Sequence, residues 1–154
     1  MSIKTQKTEI FTVNPTGLAL VKLACPTGAS GLGGPSDQID ITCLDADTRG
    51  FAQGLKNPGQ ISIPFNFDPQ ETSHDLIIDL YEAGTTTQWM IALSDNTTQP
   101  TVDSAGDFVA LTARSNFVFD AYIADLTIDI ATNEVVRGTI SLQRSGAYVF
   151  TKKA

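Results

Sequence analysis

Acid–base chemistry at neutral pH most readily uses histidine, and the chain has one, His74. It falls on the first turns of a predicted helix, with no serine or cysteine in a nucleophile elbow beside it, so it reads as a surface or edge residue and not as a catalytic base. Asp37, Asp40, Asp45 and Asp47 are dense enough to suggest calcium, but they lack the EF-hand spacing and its closing glutamate. Residues 28–36 are rich in glycine, yet no Lys-Ser or Lys-Thr follows to make a phosphate cradle, and Leu32 occupies the second glycine position that an elbow around Ser30 would need. Cys25 and Cys43 are too few, and too far from a histidine partner, for zinc; they read as small buried hydrophobes. Trp89, flanked by Gln88, Met90 and Ile91, reads as core and not as a stacking platform. No catalytic, cofactor-binding or metal-ligating residue is therefore assigned, and the expected function is not enzymatic.

The bulk properties narrow the alternatives. The 154 residues suit one domain, large enough to fold without a disulfide or metal staple. A formal net charge of −7 opposes tight binding of nucleic acid, whose affinity comes largely from Lys and Arg displacing counterions. Charge is also unevenly placed. Residues 37–125 hold 14 acidic and 3 basic side chains, whereas the two flanks together hold 3 acidic and 7 basic ones. That asymmetry reads first as a solvated acidic surface with basic tails, and alternatively as a subunit whose basic ends meet acidic faces of its neighbours. Met1 to Lys7 lacks the apolar core of a signal peptide, and no stretch is apolar for the roughly 20 residues that a membrane anchor needs. Lys152 and Lys153 read as a solubilising tail.

The elements that must position these residues are mostly strands. Period-two alternation predicts strands at residues 9–13, 17–23, 38–43, 60–67, 86–93, 108–112, 116–123, 135–142 and 147–151, most of them separated by turn-forming residues. In two of these the alternation names a dry face: Ile39, Ile41 and Cys43 in one, Ile61, Ile63, Phe65 and Phe67 in the other. One helix is predicted over about 69–83. Asp68 would cap it, Pro69 suits its first position, Glu71 would complete a capping box and Gly84 would stop it. Leu76, Ile77, Leu80 and Tyr81 form its apolar stripe, with Asp75, Asp79 and Glu82 opposite. Residues 45–59 escape the strand pattern. A loop that long is unusual in a compact domain unless functional or disordered, and Phe51 and Leu55 suit it to a partner surface.

Taken in order, residues 40–51, residues 54–59 (Gly-Leu-Lys-Asn-Pro-Gly) and Phe65-Asn66-Phe67-Asp68-Pro69 resemble the major tail tube proteins of long-tailed, non-contractile, lambda-like bacteriophages. The final segment, residues 136–146, is similar to the last hairpin of that family with its Ser-Gly turn. The resemblance runs from about Gly17 to Phe150. It departs in having Asn57 where an acidic residue is frequent, and the chain ends at Ala154 without the immunoglobulin-like domain that some members append.

The resemblance implies a mainly β fold: a β-sandwich or partial barrel with one flanking α-helix, which completes an inter-subunit β-barrel in a hexameric ring. Rings would stack into the tail tube of a virion, assembled in the host cytoplasm, through which DNA passes without specific binding. The chain would form one tail tube domain over 1–154 with a short N-terminal arm at 1–8 and an inter-ring loop at about 45–59, where Thr48, Arg49, Phe51, Leu55 and Lys56 would make the contacts. Asp37, Asp40, Asp45, Asp103, Asp107 and Asp120 are candidates to line an acidic lumen that repels the phosphates of the passing duplex. The implied partners are the chain itself and the tape measure, tail tip and tail terminator proteins. Two alternatives stand beside this reading: a tube protein like that of a type VI secretion system, and a monomeric β-sandwich that binds a small ligand.

Overall fold

The computed structural model describes residues 2–154. In chain order the elements are β1 (Glu9–Asn14), β2 (Ala19–Lys22), β3 (Ser36–Asp40), β4 (Phe51–Lys56), β5 (Gln60–Asn66), α1 (Thr72–Ala83), β6 (Thr87–Ala92), β7 (Asn116–Asp129) and β8 (Arg137–Thr151). Six strands form one antiparallel sheet in the order β2-β1-β6-β7-β8-β5, while β3 and β4 pair only with each other. Segment 25–30 runs along the outer edge of β5, exchanging backbone hydrogen bonds between Ser30 and Ser62 and donating from Thr27 N–H to Pro64 O.

Strand alternation separates the two sides of the main sheet. On one side Ile61, Ile63, Phe65, Trp89, Phe119, Ala121, Ile123, Ile140 and Leu142 form the principal core and pack with Ile77 and Leu80 of α1. Burying side chains of this size contributes about 1.5–3 kcal/mol each. A smaller cluster on the other side joins Phe11, Met90 and Ala92 to Phe108, Leu111 and Val118. The long connection between β6 and β7 therefore covers only the β1–β6 half of that second side.

Trp89 is core, as alternation predicts, and β5 buries Ile61, Ile63 and Phe65. Other expectations are corrected. Ile39 and Ile41 are 53% and 58% exposed, and Cys43 is exposed as well, because alternation marks a dry face only where a second layer covers it and the β3–β4 hairpin has none; Cys25 is exposed at the start of the segment along the outer edge of β5. Residues 108–112 form no strand, because Phe108 and Leu111 point into the smaller cluster from irregular chain. The two strands predicted at 135–142 and 147–151 are one. Ser145-Gly146 makes no hairpin turn; instead Gly146, at φ +85°, sits where the register between β7 and β8 shifts, so the chain bulges and continues.

The helix begins at Thr72, later than its composition implies. Asp68 Oδ1 accepts the N–H of Gln70 in a local turn, Glu71 occupies the N-cap without a side-chain hydrogen bond, and no capping box forms. Its end behaves as expected: Gly84 adopts the left-handed conformation at φ +65° and donates its N–H to Leu80 O. The buried stripe runs Ser73, Ile77, Leu80, with His74 beside it, while Tyr81 is 41% exposed and Leu76 only half-buried.

His74 is not a surface residue. Its ring packs against Phe65 and Phe67, with centroids 4.8 and 5.7 Å away, and is 1% exposed. Nδ1 lies 3.0 Å from Asp68 N and 3.1 Å from Asp68 O, and Nε2 lies 2.9 Å from Ala24 O; the Nε2–H tautomer lets Nδ1 accept the Asp68 N–H while Nε2 donates to the Ala24 carbonyl. The imidazole thus ties the helix entry to the chain following β2. This role leaves it both ring nitrogens occupied and no access to a substrate.

Candidate assembly surfaces

Length mismatch between neighbouring strands creates the most informative feature of the sheet. β6 pairs with β7 only along residues 116–121, and β5 pairs with β8 only along residues 137–143. Because β7 and β8 are antiparallel partners over nearly their whole lengths, residues 122–129 of β7 and 144–151 of β8 each keep one edge without a strand partner among the described residues. The two open edges are equal in length and lie on opposite sides of the β7–β8 ribbon, displaced along the strands. An exposed edge is a template for another strand.

The same ribbon carries an uncovered polar face. Asp120, Tyr122, Asp125, Thr127 and Asp129 of β7 stand opposite Ser145, Gln143, Ser141, Thr139 and Arg137 of β8, and Gln60, Ser62, Pro64 and Asn66 of β5 continue the row. All are exposed or half-buried. The β7 bulge between Ile123 and Asp125 resets the alternation, which is why Asp120 and Asp125, an odd number of positions apart, share this face. Asp125 and Asp129 escaped the sequence reading because they lie beyond the strand predicted at 116–123, and a strict period of two counted from Asp120 would place both on the other side.

Of the other aspartates named from sequence, Asp37 and Asp40 lie on β3 and Asp45 beyond its end in the β3–β4 connection; Asp103 and Asp107 lie on a turn of the long loop covering the β1–β6 half. Asp37, Asp40 and Asp45 lie off the main sheet, whereas Asp103 and Asp107 lie in the loop packed over the side that Asp120 faces, where the Phe108 N–H donates to Oε1 of Gln88, the cross-strand neighbour of Asp120. Asp37 is engaged within its own hairpin by Asn57 Nδ2 at 2.9 Å, so Asn57 has a polar partner in this chain. Asp40 is exposed but engaged locally as well: the Thr42 hydroxyl and N–H hydrogen-bond its carboxylate and hold its pKa below the ordinary value.

The residues read as an inter-ring loop lie around a projecting hairpin. Phe51, Leu55 and Lys56 belong to β4, and Thr48 and Arg49 lie in the connection before it. Leu44 and Leu55 are fully or largely exposed, and Phe51 is half-exposed. The hairpin root is rigid: Asn57 N–H donates to Pro35 O, and a Cβ added to Gly34 would stand 1.9 Å from Asn57 O, so only glycine fits there.

Sequence reasoning also missed Arg114, whose side chain is completely buried. It donates to Glu9 Oε1 at 3.0 Å and to the carbonyls of Lys7 (2.8 Å), Ala92 and Thr98 (both 3.3 Å), and also to that of Leu93. Lys22 lies 2.6 Å from the other Glu9 oxygen. Burial opposes ionisation of Glu9, but the hydrogen bonds and charges of Lys22 and Arg114 outweigh it and hold the carboxyl below its ordinary value of 4.5. This cluster fastens the N-terminal arm and the long loop to β1 and β6, beside the sheet that bears the open edges. A lone arginine between Ala113 and Ser115 gives no signal of this in sequence.

Among the described residues, no group of three or more His, Cys, Asp or Glu side chains is arranged to hold a metal ion. No helix is long and apolar enough to cross a membrane. A family model described as phage tail tube, lambda-like, matches residues 1–154. The chain belongs to the lambda-like phage tail tube family. A curated relative, structural protein 3 of Pseudomonas phage PAJU2, is 33% identical over 156 residues, covering 99% of this chain and 95% of the relative. Among solved structures, the tail of an empty GTA particle with C6 symmetry superposes with a TM-score of 0.71 at 13% identity, covering 97% of this chain and 99% of the other. The SPP1 tail tube superposes with a TM-score of 0.69 at 14% identity, covering 97% and 79%. At such identities the superpositions establish the fold alone. Family membership makes this tail tube protein a structural component of the phage virion and not an enzyme.

Proposed function

We propose that the tail tube protein closes into hexameric rings, that the rings stack, and that DNA leaves the capsid through their lumen. The pair of displaced open edges carries this reading. Cyclic symmetry about an axis near the strand direction keeps residues 122–129 of one copy antiparallel to residues 144–151 of the next, so each copy completes its neighbour's sheet. The displacement between the two edges suits this arrangement, because strands in a closed barrel tilt and their hydrogen-bond register staggers. Every copy offers one edge and receives another, a head-to-tail contact that forms a ring where the rotation closes. The C6 symmetry of the GTA tail supports six copies per ring.

In such a ring the polar side of β7 and β8 faces inward. Asp120, Asp125 and Asp129 would line the lumen and repel the duplex, so DNA slides instead of adhering. The hairpin bearing Thr48, Arg49, Phe51, Leu55 and Lys56 would reach the adjacent ring, where its exposed apolar residues find cover. Tape measure, terminator and tip proteins are the partners expected at the ends of such a tube.

Electron microscopy of the purified full chain over a wide range of concentration tests the reading. Annular particles of six-fold symmetry, or tubes, are expected. Lone compact molecules under every condition would overturn it. A variant lacking residues 50–56 is expected to form rings that do not stack, whereas normal tubes from that variant would remove the hairpin from the axial contact.

A further inference from the structure

Arg144 is treated very differently from Arg114. Both are buried, Arg144 with 7% of its surface exposed, yet Nε and Nη1 of Arg144 have no hydrogen-bond partner among the described residues, and neither ion pair found there includes it. Its guanidinium lies 5.0 Å from the ring centre of Tyr148, which itself packs edge-on against Phe117. A cation–π contact holds the charge in place but satisfies none of its N–H donors. Buried guanidinium groups are ordinarily paired, because the desolvated donors are otherwise left without compensation. Tyr148 and Phe150 beside it are 39% and 51% exposed, so the patch around this arginine is only partly covered.

Arg144 also stands at one end of an open edge. Beyond it the β8 edge is occupied, since Gln143 pairs with Gln60 of β5. A neighbour's strand laid antiparallel along residues 144–151 must therefore leave the sheet at the level of Arg144. Opposite residues of an antiparallel pair share a face, so continuing the polar side from copy to copy sets that neighbour's Asp129 opposite Ser145 and its Ile130 opposite Arg144, and the β7–β8 turn follows immediately. Asp129 points to the polar side of the sheet, away from the arginine, but the turn carries an exposed carboxylate at Glu134, directly after Asn133, which adopts the left-handed conformation at φ +61°.

We propose that Arg144 is the receiving half of an inter-subunit ion pair, and that a second copy of this chain supplies Glu134 to its unpartnered guanidinium. The inference rests on the ring reading above and adds the contact that fixes the strand register between copies. The pair places a bidentate acceptor against a planar donor, a geometry that rejects slipped registers as well as attracting the correct one.

The test is a double-mutant cycle on the full chain with Arg144→Gln, Glu134→Gln and both together, reading ring formation by sedimentation and microscopy. The fold of the dispersed subunit is followed by fluorescence of Trp89. Each single variant is expected to raise the concentration for half-assembly by about tenfold or more, as coupled interfacial charges do, and the double variant to be no worse than either single. Arg144→Gln should leave the dispersed subunit as stable as the parent or more so, since it removes an unpaired buried cation; a merely structural arginine would lower subunit stability instead. Parent-like assembly of Arg144→Gln, strictly additive single effects, or loss of subunit stability in Arg144→Gln would each overturn the ion pair while leaving the ring intact. Absence of rings from the parent protein would overturn the ring reading itself.

Discussion

Replacing Arg114 with methionine removes a buried cation while keeping most of its apolar volume, and it isolates what the guanidinium contributes. The structure assigns that group five acceptors: the Glu9 carboxylate and the carbonyls of Lys7, Ala92, Leu93 and Thr98. Each buried acceptor left empty costs about 1–3 kcal/mol, but the contributions do not add, because water can follow the vacated space and Lys22 still holds Glu9. Breaking a buried pair by removing one partner costs about 3–5 kcal/mol, and we expect the loss to fall in that range. Against a typical total of about 5–15 kcal/mol, such a loss leaves the subunit marginal. Urea unfolding at subunit concentrations too low for assembly measures it, with Trp89 as a single buried reporter. Arg114→Lys should recover little, because an ammonium cannot reproduce the fork that spans the Glu9 side and the loop carbonyls. A loss below about 1 kcal/mol for the methionine variant would refute the argument that this arginine fastens the arm.

His74→Phe keeps an aromatic ring between Phe65 and Phe67 but strands the Asp68 N–H and the Ala24 carbonyl, so a loss of about 1–3 kcal/mol for each group left unpaired is expected in the same urea assay; a neutral or stabilising outcome would mean those bonds contribute nothing. The folded-state pKa of Glu9 lies below its ordinary 4.5, so its contribution is present above that value and disappears as pH falls through the folded pKa. Subunit stability should accordingly decline on acidification below about pH 4.5, and Glu9→Gln should flatten part of that decline; an unchanged slope would remove Glu9 as a source.

Sequence alone determined the fold class, the family and most of the strands, because alternation of β-branched and aromatic residues is a local consequence of the pleat and survives wherever a second layer covers one face. β5 is the clear instance: Ile61, Ile63 and Phe65 are legible as core before any coordinates. The absence of an assigned catalytic group followed from the same local inspection. The tertiary structure decided everything that depends on what lies opposite a residue. Ile39 and Cys43 alternate like core residues but have no layer above them, whereas polar His74 is buried because two phenylalanines and two backbone groups converge on it from elsewhere in the chain. Asp125 joins Asp120 only through a bulge that no period of two anticipates. The open edges of β7 and β8, on which assembly is proposed to depend, arise from where β5 and β6 stop pairing, and that is fixed by the register between segments far apart in sequence, not by the composition of any one of them.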